Sequence, residues 1–125
     1  MLGVCKVHAT VAVSDLERAK QFYGETLGLK QAGENTGGVM YESGGGDLFV
    51  YVSNTAGKGE ATCAFWDVPD IEAAVNDLRS KGVAFEHYPD MPGVTLEGDV
   101  HVMGNMKAAW FKDPDGNILS LAYSS

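Results

Sequence analysis

Apolar residues alternate or run together over 7–13 (VHATVAV) and again over 63–68 (CAFWDV), lengths and spacings that suit buried β-strands. Behind each stretch the period lengthens. Leu16, Ala19, Phe22, Tyr23 and Leu27 recur as one face of a helix, and so do Ile71, Ala74, Val75 and Leu78. Ser14 with Glu17 three positions on reads as a capping box and Gly28 as the stop; Pro69 and Asp70 open the second helix and Gly82 closes it. Shorter strand-like pieces follow at 29–31, 39–42 and 48–53 in the first half, and at 84–87, 100–103, 108–112 and 118–123 in the second. The chain is thus strand, helix and about three strands, written twice. This pattern predicts one α+β domain of two βαβββ modules, about 1–58 and 59–125.

Asp113-Pro114-Asp115-Gly116 is a turn signal, with Pro fixing φ and Gly free to close; Gly44-Gly45-Gly46-Asp47 stands in the corresponding place of the first half. The triglycine lacks a GK[ST] signature and sits between strands, so no nucleotide site is expected.

With 17 acidic against 9 scattered basic side chains, a net charge of −8, the chain has no footprint for nucleic acid or for an anionic membrane surface. No apolar run approaches the roughly 20 residues that span a bilayer, and MLGVCKVHAT lacks the pattern of a signal peptide, so the expected location is cytoplasmic. Cys5 and Cys63, outside any CxxC pair, are expected to be free buried thiols.

His8 followed seven positions later by Asp15-Leu16, then Ala19, Phe22-Tyr23, Leu27-Gly28-Leu29 and the run from Trp110 to Leu119 (WFKDPDGNIL) give the chain its likeness. Together they resemble the vicinal oxygen chelate superfamily of glyoxalases, bleomycin-resistance proteins, fosfomycin-resistance enzymes and extradiol dioxygenases. The resemblance implies sheets curved around a shared cavity, in many members completed by a homodimer. It also implies a divalent metal (zinc, nickel, manganese or iron) on the inner sheet face, held by His and Glu, where it would chelate two substrate oxygens.

Carried over position by position, His8 matches the first ligand, while Cys63, Ser120 and Val50, or Tyr51 with a one-residue shift, stand at the others. One imidazole, one thiol and one hydroxyl make an unusual set, so the standard metal triad is not expected. Strand alternation sends Val11, Val13, Trp66, Val68, Leu119 and Leu121 to the helices, and His8, Thr10, Val50, Cys63, Phe65 and Ser120 to the concave side. Trp110 or Phe111 reaches the cavity, and Met103 belongs to a Met-rich segment over its mouth. His101, near Glu97 and Asp99, reads as a solvated surface group.

The expectation is a homodimeric protein that binds a small organic molecule in the cavity. The alternative is a metal-dependent lyase, isomerase or dioxygenase using His8 with non-standard ligands such as Glu42 or Glu60. A further reading pairs Cys63 with His8 as thiolate and imidazolium.

Overall fold

A computed structural model describes residues 1–35 and 37–124. The first module runs β1 (Ala9–Val13), α1 (Leu16–Lys20, continuing as a π-helical turn over Gln21–Thr26), β2 (Lys30–Asn35), β3 (Gly38–Ser43) and β4 (Gly46–Val52). The second runs β5 (Thr62–Asp67), α2 (Ile71–Ser80), β6 (Phe85–Glu86), β7 (Thr95–Glu97), β8 (Val100–Met103), β9 (Met106–Lys112) and β10 (Ile118–Ser124). Each module closes the same way, its first strand pairing parallel with its last: β1 with β4 and β5 with β10. The sheet orders are β1-β4-β3-β2 and β5-β10-β9-β8-β7, with β6 pairing β9, so both sheets are mixed and the repeat read from the sequence is real in three dimensions.

One core serves both sheets. Val11, Val13, Val39, Tyr41, Leu48 and Val50 from the first sheet join Ala109, Phe111, Leu119 and Leu121 from the second, with Ala19 and Tyr23 of the first helix and Ile71, Val75 and Leu78 of α2. The first helix reaches both sheets. The Tyr23 ring lies 6.3 Å from Tyr41, and that of its neighbour Phe22 lies 6.4 Å from Phe111.

Asp70 caps α2 as expected, accepting from the Ala73 amide at 3.1 Å, and Gly82 follows at φ 91°. The capping box at Ser14 does not form. Asp15 caps α1 instead, through the Arg18 amide, because the Ser14 hydroxyl and amide both donate to Asp115 across the molecule.

That contact belongs to a seam built on the turn between β9 and β10. Asp113 is buried; one carboxylate oxygen accepts the amides of Asp115 (3.0 Å) and Asn117 (2.8 Å), the other the Tyr23 hydroxyl (2.7 Å) and the Asn117 side-chain amide (2.8 Å). Asn117 also donates to the Ala12 carbonyl at 2.7 Å and accepts from the Gly57 amide at 3.3 Å. Gly57 has φ 70°, and a Cβ there would overlap the Asp115 carbonyl, so this position requires glycine. Burial, reinforced by Asp113, raises the Tyr23 pKa and keeps its hydroxyl a donor. Burial alone would raise Asp115, but the hydrogen bonds from Ser14 and the charge of Arg18 leave it below the usual carboxylate value.

Candidate functional site

With the helix-side faces consumed by the core, chemistry is left to the opposite face of each sheet. On the first sheet Thr10 lies beside Phe49, and Val11 beside Val50. Val50 is therefore a core residue with no exposure, not a cavity residue, and Phe49 takes the place assigned to it. Counting one position off along a strand moves every side chain to the other face. Phe49 and Tyr51 stack on this open face, ring centroids 6.0 Å apart and nearly parallel.

His8, immediately before β1, turns its Nδ1 to Asp47 at 3.2 Å, and the Lys6 ammonium holds the same carboxylate oxygen. The Lys6 hydrogen bond is the main reason the Asp47 pKa is lowered, with the charge of His8 adding to it. His8 is thus engaged with a carboxylate rather than with Cys63. A small pocket of about 130 Å³, where β1 meets β5, is lined by Asp47, Leu48 and Phe65 among others, bringing His8's partner close to a predicted cavity residue.

On the second sheet Ser120 lies between Phe65 and Trp110 in neighbouring strands and is buried, while Phe65 is 62% exposed. Met103, half-buried at the end of β8, pairs with Met106 across a two-residue turn. Phe111 belongs to the core, so Trp110 is the aromatic that reaches the open face. Its indole N–H donates to the Thr62 hydroxyl at 3.1 Å.

Cys5 and Cys63 are both exposed, against the expectation of buried thiols. The Cys63 thiol donates to the Ile118 carbonyl at 3.3 Å, and burial of the sulfur, with Asp113 adding, pushes its pKa up. A raised thiol pKa with His8 committed to Asp47 removes the basis for a thiolate–imidazolium pair.

His101 overturns its reading as a surface group. It is fully buried, its ring T-shaped against Trp110 at 4.8 Å and tilted against Tyr88 at 5.8 Å. The signal that finds it is the hairpin: Met103 opposite Met106 puts His101 opposite Ala108, on the face of Trp110. At the edge of this cluster His87, its ring 6.5 Å from that of His101, reaches Asp99 at 2.7 Å, and Arg79 holds the same carboxylate.

The positions where a metal ligand was sought carry His8, Cys63, Ser120 and Val50, or Tyr51 with a one-residue shift; Val50 is buried in the core, and its neighbours on the open face are the aromatic residues Phe49 and Tyr51. An aromatic ring, a high-pKa thiol and a buried hydroxyl do not form the donor set of a His and Glu metal centre. Among the described residues no group of three or more His, Cys, Asp or Glu side chains converges as metal ligands would. A separate cleft of about 280 Å³ opens on the helix side, between Leu27–Leu29 and α2, with Trp66 and Leu121 in its lining. Among the described residues no helix is long and apolar enough to cross a membrane.

Residues 7–121 match the family model described as Glyoxalase/Bleomycin resistance protein/Dioxygenase superfamily. No curated protein matches the chain. Among solved structures, a putative glyoxalase family protein from Bacillus anthracis superposes with a TM-score of 0.74 at 19% identity, over 96% of this chain and 94% of that one. The antibiotic binding protein TnmS3 from Streptomyces sp. CB03234 gives 0.69 at 25% identity, over 98% and 99%. The fosfomycin resistance protein FosX from Listeria monocytogenes gives 0.72 at 12% identity, over 95% and 92%.

Proposed function

We propose that this chain, which belongs to the Glyoxalase/Bleomycin resistance protein/Dioxygenase superfamily, binds a small organic molecule without the metal triad of the superfamily's enzymes. The observation that carries this reading is the donor set: of the four ligand positions only His8 bears a metal-binding side chain of the superfamily's type, and its Nδ1 faces Asp47. What the open faces offer instead is aromatic surface with a few hydroxyls, Phe49, Tyr51 and Thr10 on one sheet and Phe65, Trp110 and Thr62 on the other. Such surfaces suit a planar, largely apolar ligand, with polar groups fixing its orientation.

Each face alone is half a container. The reading therefore includes a homodimer in which the first sheet of one copy and the second sheet of the other enclose the ligand; the exposed Phe65 supports this, being a large apolar side chain a monomer leaves in water. The likeness to TnmS3, an antibiotic binding protein, supports the same class of ligand. In this mechanism the protein sequesters its ligand by enclosure, and no bond of the ligand is broken.

Untagged protein carries the test. Metal content is measured, and thermal unfolding is followed with chelator, with zinc, nickel, manganese and iron, and with a panel including bleomycin and fosfomycin, since a ligand of the native state raises the midpoint. The expected result is a dimer by sedimentation, a midpoint unmoved by metals and raised by a planar organic compound. Near-stoichiometric metal that is lost in His8→Ala would overturn the reading in favour of a metal-dependent enzyme.

A further inference from the structure

The buried histidine of the second sheet is used by nothing described so far, and its hydrogen bonding fixes its protonation state. His101 Nε2 accepts from the Tyr88 backbone amide at 2.8 Å. A ring nitrogen accepts only when it carries no proton, so the neutral ring bears its hydrogen on Nδ1, and among the described residues Nδ1 makes no hydrogen bond, the Ala108 backbone being close to the ring. The same ring packs edge-to-face on Trp110, which Tyr88 also meets at 5.5 Å in a T-shaped contact. One imidazole thus joins the chain at Tyr88 to the aromatic side chain at the centre of the open face.

We propose that His101 is a positioning residue for this face: its neutral ring ties Tyr88 to Trp110, and protonation unties them, loosening the aromatic surface as the pH falls. The link to ligand release rests on the function proposed above, whereas the coupling itself is a property of the ligand-free chain.

The surroundings fit that role from every side. The segment before β7 contributes His87 and Tyr88, β9 contributes Ala108 and Trp110, and β7 places Leu96 opposite the histidine. Asp99 is the nearby carboxylate, and Arg79 and His87 already hold it; Glu86, opposite Trp110 on β6, pairs with Lys112. Protonated Nε2 would lose the Tyr88 amide and place a charge inside aromatic packing, where it lacks solvation. Burial accordingly lowers the His101 pKa, opposed by the Ala108 backbone and Asp99, with His87 adding to the fall. A histidine lowered in the native state favours opened forms as the pH drops below about 6.5, the ordinary histidine value.

The test uses the full, ligand-free chain carrying His87→Gln, which removes the neighbouring imidazole. Nitrogen NMR reports the His101 tautomer, and hydrogen exchange reports the protection factor of the Tyr88 amide from pH 8 to pH 5, with the Trp110 indole resonance as a second probe. We expect the Nδ1–H tautomer at pH 8, a Tyr88 protection factor falling at least tenfold as His101 titrates, and the indole moving with it. His101→Gln keeps an acceptor that cannot titrate, so it should hold Tyr88 protection flat across the same range. An Nε2–H tautomer, a Tyr88 amide indifferent to the titration, or a wild-type pH profile in His101→Gln would overturn the proposal. Should the glutamine variant not fold, the tautomer and the Tyr88 profile of the His101 chain still decide. Because no ligand enters these measurements, failure to find an organic ligand would sink the proposed function and leave this result standing.

Discussion

The seam between the modules and the open sheet faces handle polar groups in opposite ways. At the seam every strong group is answered: both oxygens of Asp113 accept two hydrogen bonds each, and Asn117 binds carbonyl, carboxylate and amide together. On the faces the groups are left with spare capacity. Among the described residues His101 has one nitrogen without a hydrogen bond, and Phe65 stands mostly in water. A saturated network fixes one geometry, while an unsaturated surface has something to offer a ligand. The seam is therefore where stability should be concentrated, and the faces where binding should be.

The difference can be broken at its strongest point first. Asp113→Ala leaves the Tyr23 hydroxyl and two backbone amides without their acceptor, and urea unfolding should record a loss of about 3 kcal/mol or more, at the scale of several buried hydrogen bonds to a charge. Gly57→Ala should cost about 2 kcal/mol in the same assay, from positive φ together with overlap on the Asp115 carbonyl. Phe65→Ser, on a face, should change the stability of the isolated chain by about 0.5 kcal/mol or less, while weakening the proposed dimer in sedimentation. An effect of Phe65→Ser as large as that of Asp113→Ala would abolish the distinction.

Acid sharpens the same contrast. Asp115 is lowered in the native state, so its contribution is complete above the unfolded carboxylate value, about 3.9, and is lost as the pH falls through its lower native value. His101 acts in the other window, weakening the second face already below about 6.5. Fluorescence unfolding across pH should show Asp115→Asn flattening only the lower limb.

The repeat, both helices and the DPDG turn were legible because they are local: periodicity, caps and turn residues act over a few positions. What lay beyond reach was set by distant partners. Ser14 and Asp15 are adjacent and both able to cap a helix; the choice falls to Asp15 because Asp115, 101 positions from Ser14, takes the Ser14 hydroxyl. Val50 faces the core, one residue away from the open face; a glycine-rich turn does not say on which residue β4 begins, whereas the pairing of Ser43 with Gly46 does. His101 looked solvated beside Glu97 and Asp99, yet Asp99 is drawn off by Arg79 and His87, and Tyr88 and Trp110 cover the ring. The motif that identifies the superfamily sits at the seam, which is why it announced the fold and said little of the ligand.

The four-bonded carboxylate of Asp113 has a consequence for how such a sequence can diverge. Because the modules are locked together by residues that face no ligand, substitutions among Thr10, Phe49, Phe65 and Trp110 can accumulate without first loosening the frame. A library varied at those four positions should retain folded members at high frequency, so that the faces are free to drift while the scaffold stays buffered against the search.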